Sequence, residues 1–282
     1  MLLSEIVKFI IYAMLIVIIS KYVLVKILRK LAQVLNLSSK TVGNIAGIAT
    51  SMPELLTTVF SAFAGLIATS VYNILSSNII NLIQYTFSIY LNKNQKKLKN
   101  KALKIDIVLV LCTILIPIAM LFFKMDFNIS IVPLFIILFV FFYYLNVKVH
   151  KLYLQIENGA AIMDFQEKSI NTKRKVIKII WYISLLLFTG FVLYIIGENL
   201  NKVLSSLCNI FKVPEVILGF TLGFITSIPE LITFFESQKE YKELENKELG
   251  VIEATNNLLT SNVLNLFVIQ TISIMIFTII WI

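Results

Sequence analysis

Two glutamates in strongly apolar sequence sit inside the same six-residue phrase, Thr50-Ser51-Met52-Pro53-Glu54-Leu55 in the first half and Thr226-Ser227-Ile228-Pro229-Glu230-Leu231 in the second. A carboxylate in such surroundings is costly and marks a functional site by default. Each phrase also reads as a capping box, with the serine three residues before the glutamate and proline early in a new helix, so a plain helix restart is the bland alternative. Inside a bilayer the same signature means an interrupted helix. Proline has no N–H for the carbonyl four residues back, which leaves the carbonyls of Ala49 and Ile225 without their usual donor. Gly47 and Gly223 let a backbone or an ion come close, and Thr50, Ser51, Thr226 and Ser227 add hydroxyls beside the carboxylates.

A second pair of phrases follows downstream, Ser77-Asn78-Ile79-Ile80-Asn81 and Ser261-Asn262-Val263-Leu264-Asn265. Spacing of four puts Ser77 and Asn81 on one helix face, and likewise Ser261 and Asn265, with Asn73 and Asn257 one turn further back. Such residues also serve as polar glue between membrane helices. Taken with the glutamates, they form an all-oxygen set suited to a hard cation such as Ca²⁺ or Na⁺. Nothing suits a soft metal: no Cys or His joins either phrase, Cys112 and Cys208 lie far apart in apolar context, and His150 sits among lysines read as a loop. No nucleophile–histidine arrangement, phosphate-binding loop or hydrolase spacing is present, and an enzyme is not expected.

The elements that must position these residues are membrane helices. The 282 residues are 58% hydrophobic and only 15% charged, with mean hydropathy +0.88. Soluble domains carry about 25% charged residues. Apolar runs near 5–31, 40–67, 70–91, 104–123, 130–147, 177–210, 214–236 and 250–280 predict about eight transmembrane helices, the first retained as a span. The net charge of +9 comes from lysines and arginines between these runs, a positive-inside pattern and not a nucleic-acid surface. With the N-terminus outside, only Lys8, Lys21, Lys124, Lys202 and Lys212 of the 25 basic residues fall on the outer side. The expected location is the plasma membrane, as a multi-pass protein. The glutamate phrases then cross in opposite directions, in the second and seventh spans, so the chain reads as an all-α integral membrane protein with inverted-topology repeats and broken helices 2 and 7. Its parts are a first half at 1–147 with five helices, a cytoplasmic linker at 148–176, and a shortened second half at 177–282 with three.

In these phrases the chain resembles the sodium/calcium exchanger branch of the Ca²⁺/cation antiporter superfamily, whose repeats carry Gly-Thr-Ser-Leu-Pro-Glu followed by a Gly-Ser-Asn phrase. The likeness spans 41–82 and 214–266, including Val213-Pro214-Glu215-Val216-Ile217-Leu218-Gly219. It implies a ten-helix inverted repeat in which helices 2, 3, 7 and 8 hold the ions while helices 1 and 6 slide past them. Carried over, Glu54 and Glu230 are the central ligands shared by transported Ca²⁺ and Na⁺. Thr50, Ser51, Ser77 and Asn81 complete one half of the site, and Thr226, Ser227, Ser261 and Asn265 the other. Gly47 and Gly223 supply backbone carbonyls. No cofactor is implied.

The chain departs from this pattern in several places. Ala49 and Ile225 replace the glycine before each Thr-Ser, Ser76 and Thr260 replace that of Gly-Ser-Asn, and Asn265 stands where many exchangers carry aspartate. Glu54 and Ser77 are 23 residues apart but Glu230 and Ser261 are 31, the difference including the charged stretch Glu236 to Glu248, read as a solvated loop or helix extension. Only 21 residues follow Ser261, so helices 9 and 10 have no counterpart and the flank they would cover is open to a second copy of the chain. The expected function is Na⁺/Ca²⁺ antiport. Ca²⁺/H⁺ exchange and a cation-binding scaffold that does not transport stand as alternatives.

Overall fold

The computed structural model describes residues 1–19, 22–23, 26–34, 39–160, 172–243 and 247–282. Among them the regular structure is helical throughout. In chain order the α-helices are α1 (Leu2–Ile19), α2 (Lys26–Val34), α3 (Ser39–Thr50), α4 (Met52–Phe63), α5 (Ile67–Leu91), α6 (Lys101–Phe122), α7 (Val132–Ala160), α8 (Thr172–Ser205), α9 (Glu215–Thr226), α10 (Ile228–Glu243), α11 (Lys247–Val263) and α12 (Gln270–Trp281). Seven stretches among the described residues are long and apolar enough to cross a membrane. α5 is the eighth span expected from sequence, and its 25 residues are long enough, but it carries too many buried polar side chains, among them Ser70, Asn73, Ser76, Ser77, Asn78 and Asn81, to pass on hydropathy. That composition fits its position. α4, α9, α10 and α11 all pack against α5, so its polar groups meet protein instead of lipid.

Several boundaries differ from the sequence reading. Within the first run, read over 5–31, the described residues form α1 up to Ile19 and α2 from Lys26, while 20–21 and 24–25 lie outside the described residues. Of the linker expected at 148–176, residues 148–160 continue α7 and 172–176 begin α8, while 161–171 lie outside the described residues. His150 therefore belongs to a helix and not a loop. α11 and α12 join through a π-helical turn, Leu264–Ile269, into one 34-residue span, Glu248–Trp281. At 1.5 Å per residue it is about 51 Å long, well over the ~30 Å hydrocarbon core. α10 likewise runs on as helix to Glu243, the helix-extension alternative for the charged stretch, of which 244–246 fall outside the described residues. The stretch is not simply solvated. Gln238 is buried, accepting from Asn94 Nδ2 at 2.9 Å and donating to Ser88 Oγ at 2.8 Å.

The repeats are legible in the packing. α3 lies along α11, and α9 lies along α5. Gly43 and Gly47, four apart, face the α11 backbone, and Gly219 and Gly223 face that of α5 in the same way. A Cβ on Gly47 would come within 2.7 Å of Asn257 O, and one on Gly223 within 2.6 Å of Asn73 O. Small residues spaced by four allow this approach in membranes. Ser76 and Thr260, at the positions where the family carries glycine, fill the space opposite: a Cβ on Gly47 would lie 2.8 Å from Thr260 Cβ, and one on Gly223 would strike Ser76 Oγ. The close approach is carried by the glycines on α3 and α9.

α1 and α8 pack on each other, joined to α4 and α9 through an apolar cluster that includes Phe9, Ala13, Ile16, Leu193, Leu200 and Leu204. Much of α8 is open on its other side, with Trp181, Leu187, Phe188 and Phe191 exposed, as suits a lipid-facing helix.

Candidate cation site

Each proline interrupts its helix by a single residue. Ser51, between α3 and α4, stays near helical geometry at φ −78° and ψ −1°, and Ser227 between α9 and α10 has the same angles. The ladder continues across the first break, Ser51 N to Gly47 O at 3.1 Å and Leu55 N to Ser51 O at 2.9 Å. The capping boxes do not form. Ser51 makes no side-chain cap, and the Oγ of both serines turns back to the glycine carbonyl, Gly47 O or Gly223 O, at 2.8 Å. This occupies the two glycine carbonyls with hydroxyls. Ile225 O, expected to be free, accepts the Ser227 amide. The narrow break thus turns side-chain oxygens, more than backbone ones, toward the bundle centre.

There the halves interleave. Glu54 lies beside Thr226 and Ser77, and Glu230 beside Thr50 and Ser261. Each carboxylate therefore has a hydroxyl from its own repeat and one from the other. Ser261 Oγ donates to Glu230 Oε1 at 3.1 Å, and Ser51 Oγ lies 2.9 Å from Ser261 Oγ. Thr50 Oγ1 donates to Asn257 Oδ1 at 3.3 Å, and Ser77 and Thr226 hydroxyls meet at 3.4 Å. Asn81 Nδ2 donates to Asn262 Oδ1 at 3.2 Å and Asn265 Nδ2 to Asn78 Oδ1 at 3.1 Å. Both glutamates and all these partners have at most 2% of their surface exposed.

The twelve residues singled out in the sequence thus lie on α3 and α4 with the break between them, on α5, on α9 and α10 with theirs, and on α11 with its π-helical turn. Their side-chain oxygens are the distinctive part. Both Glu54 oxygens, Glu230 Oε2, Asn81 Oδ1 and Asn265 Oδ1 are buried without a hydrogen-bond partner. Polar oxygens taken out of water without a donor are expensive. Two carboxylates close enough to repel one another, ringed by acceptors in an apolar bundle, would be stabilised by a cation between them. The donor set is hard oxygen only, two carboxylates with hydroxyls and amides, and among the described residues no group of three or more His, Cys, Asp and Glu side chains assembles.

Other participants were not singled out. Asn73 Nδ2 donates to Thr57 Oγ1 at 2.8 Å and Thr58 Oγ1 at 2.9 Å, and Asn257 Nδ2 donates to Thr233 Oγ1 at 2.6 Å. These threonines hold the asparagines that back the site. The signal was present: the 176-residue offset relating Glu54 to Glu230 also relates Thr57 to Thr233, Ser61 to Ser237, and Gly43 to Gly219. Asp106 in α6 is a further buried acid in an apolar run, outside this centre.

The sequence model of a family described as sodium/calcium exchanger protein matches residues 6–149, just over half of the chain. The chain belongs to this family. The match contains Glu54 and its Ser-Asn phrase; the exchanger's second copy, around Glu230, lies beyond it and is joined to the first by the fold. A solved sodium-calcium exchanger, NCX_Mj, is 18% identical, with a TM-score of 0.53, covering 98% of this chain and 84% of that one. An H⁺/Ca²⁺ exchanger, CAX, is 15% identical, with a TM-score of 0.62, covering 98% and 67%. At these identities the likeness is one of fold. No curated protein matches in sequence. Family and fold together make this exchanger a multi-pass membrane protein of Ca²⁺/cation exchanger type.

Proposed function

We propose that the chain is a secondary antiporter that exchanges Na⁺ for Ca²⁺, with Glu54 and Glu230 as the central ligands at the bilayer midplane. The observation that carries this reading is the set of buried, unpartnered oxygens on Glu54, Glu230, Asn81 and Asn265, drawn from both inverted halves. Thr50, Ser51, Ser77, Thr226, Ser227 and Ser261 supply hydroxyls around them. Gly47 and Gly223 act first through helix contact, and their carbonyls join the ligands when Ser51 and Ser227 let go of them. Ions that need the same two carboxylates cannot all be held at once, so Na⁺ entering one way displaces Ca²⁺ the other way. Sliding of the α1 and α8 pair past this centre exposes it alternately to the two faces. The loop lysines support an N-terminus outside and residues 148–176 on the cytoplasmic side of the plasma membrane.

A second reading is Ca²⁺/H⁺ exchange, since the same two glutamates are the groups a proton would occupy. Ca²⁺ flux in sealed vesicles, under an imposed Na⁺ gradient and then an imposed pH gradient, separates the two. Flux driven by Na⁺ alone and abolished in Glu54→Gln and Glu230→Gln is the expected result. Flux driven by pH alone selects the proton-coupled reading, and Ca²⁺ binding without flux leaves a scaffold.

A further inference from the structure

Six of the chain's 25 basic residues fall within twelve positions, Lys93, Lys96, Lys97, Lys99, Lys101 and Lys104, with no acid between them. They occupy the connection that leaves α5 after Leu91, makes a 3-10 turn at Gln95–Lys99 and enters α6 at Lys101. All six are exposed, and among the described residues only Lys97 of the six makes an ion pair, Nζ to Glu248 Oε2 at 3.9 Å. The connection begins where the lipid-facing surface ends: Phe87, Tyr90 and Leu91 on α5 and Val108 and Leu111 on α6 are exposed apolar side chains. The lysines therefore stand at the level of the lipid headgroups.

Positive charge near the end of a span is enough to orient a chain in the membrane, and it needs no fixed shape. This connection has one. Asn94 is buried, its Nδ2 donating to Gln238 Oε1 at 2.9 Å, and Leu98 packs on the apolar cluster that contains Leu103 and Val251. Asn100 ties the segment at two points, Oδ1 accepting from Ala102 N at 2.9 Å and Nδ2 donating to Glu248 Oε1 at 3.3 Å. Nor do the lysines serve the helix they enter. Lys101 and Lys104 occupy the first turn of α6, the end where the helix dipole disfavours a cation, and no acid in that turn offsets them. The result is a cluster of exposed ammonium groups on a backbone anchored to the bundle from both sides.

We propose that residues 93–104 form a docking surface for anionic phospholipid, their ammonium groups taking the headgroup phosphates of the leaflet at this end of the bundle. Lipid is the occupant because the lysines adjoin lipid-facing apolar side chains, and because charge complementarity with an anionic leaflet strengthens with each basic residue held near its surface. The surface is separate from the central oxygens and does not depend on which ion is carried.

The test uses the full chain purified in detergent, where topology is already set, titrated with phosphatidylglycerol or phosphatidylcholine and followed by native mass spectrometry. Wild type holds phosphatidylglycerol more tightly than phosphatidylcholine. Lys96→Gln/Lys99→Gln loses about fivefold in apparent affinity for phosphatidylglycerol per lysine removed, the size expected for one lysine near an anionic surface, and binds phosphatidylcholine as wild type does. Lys96→Arg/Lys99→Arg keeps the preference. Lys124→Gln/Lys212→Gln removes the same charge from two other exposed positions and leaves phosphatidylglycerol binding unchanged. All these variants melt near wild type without added lipid, since the substituted side chains are exposed. Equal affinity of wild type for the two lipids, wild-type binding by Lys96→Gln/Lys99→Gln, or an equal loss in Lys124→Gln/Lys212→Gln overturns the proposal. Glycerophosphate at the same phosphate concentration does not compete; full competition assigns the surface to soluble phosphate and overturns lipid as its occupant.

Discussion

Asn78 and Asn262 each donate their side-chain amide to the other's backbone carbonyl, Asn78 Nδ2 to Asn262 O at 3.3 Å and Asn262 Nδ2 to Asn78 O at 3.1 Å. This reciprocal pair marks the axis relating the two repeats. It also fixes which atom of each amide faces inward, because only the NH₂ end can satisfy a carbonyl. Each Oδ1 is then left to accept from the asparagine of the opposite repeat, Asn265 or Asn81, whose own Oδ1 is buried without a hydrogen-bond partner.

Asn78→Ala and Asn262→Ala each strip two donors or acceptors from a buried network, and each costs about 1–3 kcal/mol. The double variant costs about the sum, because each side chain bonds the other's backbone carbonyl and neither single change removes the other's bond. Thermal melting of the detergent-purified protein reads both effects.

Asn265→Asp is not a neutral return to the residue that many exchangers carry. An ionised aspartate cannot donate to Asn78 Oδ1, so two acceptors face each other next to Glu54 and Glu230. We expect the variant to melt lower than wild type in chelator and to recover more on addition of Ca²⁺ than wild type does.

Gly47→Ala and Gly223→Ala press a methyl group into Asn257 O and Asn73 O at 2.7 and 2.6 Å, on backbone that cannot move away cheaply. Overpacking of this kind costs roughly 1–3 kcal/mol. Gly190→Ala in α8, where nothing lies within 4 Å of the added carbon, is the control and stays near wild type. Melting temperature and Ca²⁺ binding, measured on all three, check the contrast.

Thr57→Ala and Thr233→Ala remove the acceptor that holds Asn73 and Asn257. Each weakens Ca²⁺ binding while leaving the carboxylates in place, by about one hydrogen bond's worth, ~1 kcal/mol or roughly fivefold. Thr233→Ala is the larger of the two, since Asn73 keeps a second partner in Thr58. Ca²⁺ titration of the two variants side by side gives the order.

Much of the site was readable because it is written twice. Glu54 and Glu230 with their hydroxyls recur at one offset, Ser77 and Asn81 with Ser261 and Asn265 at another, and the difference of eight residues located the longer α10 and its junction with α11. Thr57, Thr233, Gly43 and Gly219 obey the first offset too and extend the match to both sides of the glutamates. The capping boxes failed for a different reason. Ser51-x-x-Glu54 satisfies the local rule, but Ser261 approaches from a helix more than 200 residues away and competes for the serine and for the acceptors around it. The expected loop around His150 failed because α7 continues past its apolar stretch, and helical propensity in that polar segment carries no hydrophobic period to reveal it.

Hydropathy and local chemistry were settled by the sequence: a membrane protein, two inverted phrases, and a site made of oxygen. These follow from residue type and from spacing within one helix. The tertiary structure alone decided that α3 lies on α11 and α9 on α5, so that each glutamate is flanked by hydroxyls of both halves, and that five of the oxygens end without a donor. Which donors are used up depends on contacts between different helices, such as Asn81 with Asn262 and Asn265 with Asn78, and no periodicity along one helix encodes them.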